Sequence, residues 1–446
     1  MSALFMFSVI VIAVIAMILA ISKLKMHPFI VMVVVAVLVG LVCGMNSEEV
    51  INTVKAGFGN IIASIGIVIL AGTIIGTILE KTGAALTMAN TILKMVGKNR
   101  AVLTMGLTGY VTGIPVFCDS GFVILSPISR ALAAQSNTSL AVMGTALSAG
   151  LYATHCLVPP TPGPIAIAGN LGADLGLMIL VGLLISIPVT LAGVLYAKRF
   201  AGTIHIPANP EFTVEQLEEK YGKLPGALHS FSPILLPIIL IALKSIGDFP
   251  SAPFGSGFVK SFISFIGNPV IALMLGIFLS MTLIPKVEKK NTLKWVTEGV
   301  TNSAAIIAIT AAGGSFGEIL KSLPIADALN QSLLGLGIGV LLPFIIAALL
   351  KTAMGASTVA MILTSTMIAP MLPSLGLTSV LGKVLVGLAI GAGSMTVSHA
   401  NDSYFWVVSQ FSDMTPEQAY KCQTGVTLVQ GIVSIAVIFV VALFVR

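Results

Sequence analysis

Charge is what this chain has least of. Only 9% of its 446 residues are Asp, Glu, Lys or Arg, while 56% are hydrophobic. A soluble domain carries about a quarter charged residues, so a water-soluble globular fold is excluded. The four cysteines, Cys43, Cys118, Cys156 and Cys422, are scattered without Cys-x-x-Cys spacing, which points to neither a zinc site nor a disulfide framework. A His-Glu-x-x-His motif and a Gly-x-x-x-x-Gly-Lys-Ser/Thr loop are both missing, so the sequence suits neither a zinc hydrolase nor an ATP-driven pump. Short strands of alternating polarity are missing too, which excludes an outer-membrane barrel.

What is present is apolar length. Mean hydropathy is +1.05, and runs suited to a ~30 Å hydrocarbon core recur along the chain. The plainest are Leu4–Ile21, Phe29–Val42, Ile61–Leu79, Leu175–Tyr196, Pro233–Leu243, Val270–Ile284, Ile306–Leu320 and Gly425–Val445. The fold class expected is an all-α polytopic membrane protein. The net charge of +6 lies in short loops and not on one face, the pattern of membrane topology and not of nucleic-acid binding. Lys23 and Lys25, Lys94 to Arg100, Lys198 and Arg199, and Lys286 to Lys294 fall on one side, the cytoplasmic one. The N-terminus is then outside, and about ten crossings return the C-terminus there. The first apolar run lacks a basic leader and a small-residue cleavage site, so it is read as a retained span.

Compared with itself at an offset of about 240 residues, the chain repeats, which is how internal duplication is recognised. His27-Pro28-Phe29-Ile30 matches Asn268-Pro269-Val270-Ile271, and Gly72-x-x-x-Gly76 matches Gly313-x-x-x-Gly317. The expected domains are a first repeat over 1–199, a cytoplasmic linker over 200–229 and a second repeat over 230–446. An odd number of crossings per half makes the second copy inverted, an arrangement that supplies two near-equivalent states to a transporter.

Four stretches carry Gly, Pro and polar groups at membrane depth. Pro115 to Gly121 and Gly355 to Thr358 suit the tips of re-entrant hairpins near 102–132 and 338–372. Thr154 to Gly163 and Gly393 to Asp402 suit broken helices near 154–164 and 393–402. Irregular backbone survives there only where protein or a water-filled cavity satisfies it. Half-helix N-termini present free N–H groups that hold carboxylates. The candidate substrate contacts are Asp119, Ser120, Gly121, Thr154, His155, Ser357, Thr358, Ser394, His399, Asn401 and Asp402. Asp119, His155 and His399 are the proton-coupling candidates, because burial raises a carboxylate's titration towards physiological pH and an imidazole ordinarily titrates close to it. No cofactor or metal is called for, and the coupling ion expected is H+.

Each assignment has a plainer counterpart. Gly72, Gly76, Gly313 and Gly317 are better read as close-packing positions. Pro159-Pro160 could simply kink a helix, and His155 and His399 could only pin the breaks. Glu80 and Glu318 are placed near span ends, while Lys81, Lys321 and Lys351 are read as snorkelling cations outside the site.

At these motifs the sequence resembles the gluconate permease family, proton-coupled symporters of sugar acids and related small hydroxy or amino acids. The likeness covers essentially the whole chain. It is most specific over Gly113 to Pro127, Val158 to Pro164 and Gly393 to Trp406. It implies a scaffold domain plus a mobile transport domain bearing two hairpins, elevator-like motion, a homodimer, and residence in the bacterial inner membrane. Familiar members have Glu-Val-Gly-Phe where this chain has Asp119-Ser120-Gly121-Phe122, and often a second His where it has Thr161. The expected function is proton-coupled uptake of gluconate or a related small sugar or hydroxy acid. The alternatives are D-serine or another small organic acid, with sodium held by Ser136-Asn137-Thr138 or Gly355–Thr358. A membrane enzyme lacks a nucleophile–base pair here, and a passive channel has no need of inverted halves.

Overall fold

The computed structural model describes residues 3–97, 100–208, 224–248, 254–255, 257–323, 339–400 and 402–444. Among them every regular element is helical. The first half runs α1 (Ala3–Ser22), α2 (Pro28–Val42), α3 (Ser47–Ile61), α4 (Ile67–Lys81), α5 (Ala84–Val96), α6 (Ala101–Thr112), α7 (Cys118–Gln135), α8 (Leu140–Leu157), α9 (Pro162–Leu171) and α10 (Leu175–Arg199). The second runs α11 (Ala227–Gly247), α12 (Phe258–Ile266), α13 (Pro269–Thr282), α14 (Thr292–Ser322), α15 (Leu341–Met354), α16 (Ser357–Ile368), α17 (Val380–Met395), α18 (Ser403–Phe411), α19 (Pro416–Ala419) and α20 (Gly425–Ala442). Of the expected linker, residues 209–223 lie outside the described residues, and Ala227 already opens α11. Residue 338 of the second expected hairpin and Asn401 also lie outside them.

Helix starts follow local chemistry. Pro28 and Pro269 occupy first-turn positions where no amide donor is needed. The preceding His27 and Asn268 accept from the amides of Phe29 and Val270. Asn46, Asp174 and Ser379 cap α3, α10 and α17, and Thr415 with Gln418 forms a capping box on α19.

Among the described residues six helices are long and apolar enough to cross a membrane by length and composition, and the pair α12–α13, bent by 60°, makes a seventh candidate. Shorter apolar helices of 10–17 residues account for much of the remainder. One departure from the sequence reading is Ile61–Leu79. A π-turn at Ile62–Gly66 fuses α3 to α4, so one helix of 35 residues runs from Ser47 to Lys81. At 1.5 Å per residue that is about 50 Å, more than the hydrocarbon core requires. Its first turns carry Glu48, Glu49 and Lys55 in exposed positions.

At the centre stands α8, buried at every position from Leu140 to Leu157. A helix apolar or small on all faces is stable only when surrounded. α6 crosses it at backbone contact. A Cβ on Gly109 would lie 2.4 Å from the Leu147 carbonyl oxygen, and one on Gly150 would lie 2.0 Å from that of Gly106. α3 and α14, from opposite halves, meet the same way through Gly57 and Gly314. The exposed large side chains are those of a lipid-facing surface, such as Leu184, Ile187, Leu191 and Leu195 on α10, and Ile432 and Val440 on α20.

Candidate functional site

All four stretches singled out in the sequence interrupt helices. α6 ends at Thr112 and α7 begins at Cys118. α8 and α9 are separated by residues 158–161, α15 and α16 by 355–356, and α17 and α18 by 396–402. Scaffolding behind the first two is close. A Cβ on Gly76 would lie 2.6 Å from the Pro115 carbonyl oxygen, and one on Gly72 2.8 Å from that of Pro160. Those two glycines therefore seat the breaks against α4, while Gly313 and Gly317 face Thr366 on α16. Thr161 donates to the carbonyls of His155 (2.8 Å) and Val158 (2.9 Å), satisfying acceptors that the second break leaves free.

The centre of the site is an ion pair. Asp402 caps α18, accepting from the Tyr404 amide at 3.1 Å. Its other oxygen accepts from Lys351 Nζ at 2.6 Å and from Ser398 Oγ at 2.5 Å. The Lys351 side chain is 0% exposed and that of Asp402 6%. Lys351 lies in the last turn of α15 and donates also to the carbonyl of Gly355, the left-handed residue (φ +83°) that ends the helix. Each charge thus sits on a helix end of opposite partial charge. Ser398 is held in turn by α20 and the π-turn before it: its amide donates to Thr427 Oγ1 and its carbonyl accepts from Thr424.

Around this pair gather residues from the first half. The Lys351 ammonium lies 5.9 Å from the centre of the Tyr152 ring. The Tyr152 and Ser357 hydroxyls are hydrogen-bonded to each other, and the Tyr152 ring packs on Tyr404 at 5.0 Å. His155 is buried, close enough to feel the charges of both Asp402 and Lys351, and its Nδ1 has no hydrogen-bond partner among the described residues. Asp119 is half-buried in the first turn of α7. Among the described residues it meets neutral donors, Ser403 Oγ at 3.4 Å, Cys118 Sγ at 3.7 Å and its own backbone amide. No cation pairs with it among the described residues.

The remaining candidates are placed less centrally. Ser120 is half-buried and faces Glu80, and Gly121 packs against Leu151. Thr154 spends its hydroxyl on the carbonyls of Gly150 and Leu151, in its own helix. Thr358 is half-buried in the first turn of α16. Ser394 is buried, and its hydroxyl has no partner among the described residues. His399 is half-buried, its Nε2 2.9 Å from the Thr352 carbonyl oxygen, which ties the last break to the end of α15.

One reading is corrected. Lys351 does not snorkel: its ammonium turns inward because Asp402, the Gly355 carbonyl and the α15 C-terminus offer it acceptors and negative potential. Tyr152 and Ser398 were also missed. The available signal was a lysine four residues before a helix-ending glycine, facing an aspartate in the other break of the same half.

The GntP family permease model matches residues 5–444. A protein of Haemophilus influenzae described as an uncharacterized permease is 36% identical, over 97% of this chain and 91% of its own. A gluconate permease of Pseudomonas aeruginosa is 32% identical over 97% and 96%, and the D-serine transporter DsdX of Escherichia coli 31% over 98% of both. Among solved structures, the YdaH transporter of Alcanivorax borkumensis superposes with a TM-score of 0.67 at 13% identity, over 94% of this chain and 99% of that one. That likeness concerns the fold. The chain is accordingly a multi-pass transporter of the bacterial inner membrane and not an enzyme. By a match that runs almost from end to end, it belongs to the GntP family permeases.

Proposed function

We propose that the protein is a secondary active transporter that takes up gluconate or a related small sugar or hydroxy acid together with a proton. The observation that carries this reading is the convergence of breaks from both halves on one buried ion pair with an uncompensated carboxylate beside it. Lys351 cancels Asp402, and Asp119 remains as an unpaired negative charge. An arriving anion is repelled while Asp119 is ionised. Protonation of Asp119 removes the repulsion, so anion and proton bind best together. His155, whose Nδ1 meets no partner among the described residues, would share a proton or meet a substrate hydroxyl, and His399 stands nearer the surface.

The order of elements supports alternating access by inverted halves. α2, α3–α4, α6, α7, α8–α9 and α10 are followed in the second half by α13, α14, α15, α16, α17–α18 and α19–α20. An elevator-like movement of the broken-helix part against a scaffold, in a homodimer, completes the proposal. A D-serine substrate is the second reading, favoured by the 31% identical relative of that name. A zwitterion would use Lys351 for its carboxylate and Asp119 for its ammonium.

The test is uptake into proteoliposomes in sodium-free buffer. An acid-outside gradient should drive accumulation of labelled gluconate by the wild type. Asp119→Asn should still exchange gluconate but should no longer concentrate it. Accumulation by that variant with unchanged pH dependence would refute the role of Asp119, and an absolute need for sodium would refute proton coupling.

A further inference from the structure

Lys351 is the one lysine or arginine that is fully buried among the described residues. An ammonium has three donors. Two are engaged, by Asp402 Oδ2 and by the Gly355 carbonyl. No third acceptor is found among the described residues, and the face of Tyr152 lies 5.9 Å away. Asp402, by contrast, keeps two further donors, Ser398 Oγ and the Tyr404 amide. If Lys351 turned away, the carboxylate would stay satisfied and α18 would stay capped. The chain neighbours of the pair, Thr352, Ala356, Ala400 and Ser403, are exposed, so the buried charges lie close behind an accessible rim. The ammonium here has more donors than its partners use, and it is held by a carboxylate that can spare it.

From this we infer that Lys351 is the residue that recognises the carboxylate of the transported anion. Its remaining N–H receives a substrate oxygen, and Asp402 serves as the resident carboxylate that holds the ammonium in place when the site is empty. Tyr152 and Ser357, bonded to each other beside the ammonium, line the same spot. The inference rests on the proposed function in taking the substrate to be a small carboxylate. It goes beyond that reading in assigning the group that selects for charge.

The test is one-for-one exchange of labelled gluconate in proteoliposomes with no gradient imposed, which reads recognition without coupling. Lys351→Met/Asp402→Asn removes both charges together, so no buried ion is left alone. Gluconamide, the neutral amide, serves as competitor alongside gluconate. In the double variant the KM for gluconate should rise about 10- to 100-fold, the value of a hydrogen bond to a charged group. The preference for gluconate over gluconamide should shrink to match. Lys351→Arg should keep that preference. An unmoved KM and preference in the double variant would overturn the assignment and leave the pair as a fastener. Where the double variant fails to assemble, Lys351→Arg decides. A gluconate KM shifted by the longer, planar cation with the preference for gluconate kept supports the assignment, and an unmoved KM refutes it. A wild type that does not exchange gluconate overturns the proposed substrate, not Lys351. The same variants are then compared with D-serine and its amide as probes.

Discussion

Removing one member of the Lys351–Asp402 pair should cost far more stability than removing both. At 2.6 Å separation and an effective dielectric of ~20, the Coulomb attraction is roughly 6 kcal/mol. Desolvation of two ions costs several kcal/mol each, so the intact pair contributes little net stability. A single substitution loses the attraction and keeps one desolvation cost, for a loss of about 3–5 kcal/mol. The two single losses should differ. After Lys351→Met the carboxylate retains Ser398 and the Tyr404 amide, and it still sits at the start of α18. After Asp402→Asn the ammonium retains the Gly355 carbonyl and, at best, a neutral amide oxygen, with no counter-charge, so this variant belongs at the upper end of the range. Asp402→Asn combined with Lys351→Met should recover much of the loss. Reversible denaturant unfolding of the purified protein in detergent gives the double-mutant cycle, with an expected coupling of at least about 2 kcal/mol. Two singles that each cost under ~1 kcal/mol, as exposed pairs do, or that simply add, would refute the reasoning.

At the α6–α8 crossing, Gly150→Ala places a Cβ 2.0 Å from the Gly106 carbonyl oxygen and 2.5 Å from the Tyr110 amide nitrogen, backbone that has no room to yield. A loss of about 1–3 kcal/mol or more is expected, against no loss for Gly59→Ala, where nothing lies within 4 Å, both read by thermal unfolding. Arg130 grips Asp413 with two hydrogen bonds, at 2.6 and 2.8 Å, in the loop before α19. Hydrogen bonding to the guanidinium holds the Asp413 carboxyl below its ordinary range. Its contribution is therefore full above the unfolded pKa and is lost as pH falls through the folded one. Because the aspartate is half exposed, the increment is at most ~1 kcal/mol. Asp413→Asn should show a correspondingly smaller stability drop between neutral and acid pH than the wild type.

The breaks were legible because of what they contain. Around Pro115, Pro159-Pro160, Gly355 and the run from Gly393 to Asp402, Pro, Gly and polar residues crowd together at membrane depth and helices end or begin at each, whereas the lone Pro188 leaves α10 unbroken. Gly72 and Gly76 were legible as packing positions for the same reason: a residue with no side chain in an apolar span marks an approach, here by the backbone of Pro160 and Pro115. The ion pair was not legible. A lysine in the last turn of an apolar helix looks identical whether it reaches out to lipid headgroups or inward to an aspartate 51 positions away. Tyr152 was hidden for a related reason, since within α8 it reads as one more large residue of a buried helix. Sequence periodicity reports which face is buried, and it carries no information about which distant helix end supplies a partner.

That dependence on helix ends yields a final prediction. Gly355 does two things: it adopts the left-handed conformation (φ +83°) that terminates α15, and its carbonyl accepts from Lys351. Gly172 shares only the first property, with φ +59° at the end of α9 and nothing nearer than 3.8 Å where a side chain would grow. Alanine in such a conformation costs roughly 1–2 kcal/mol, so both Gly355→Ala and Gly172→Ala should lower thermal stability to a similar degree. Only Gly355→Ala should also weaken gluconate exchange, because relaxing that turn swings away the carbonyl that orients the ammonium. If backbone strain were the whole effect, the two variants would exchange gluconate alike at a temperature where both are folded. That result would separate the helix end from the charge it is argued to hold.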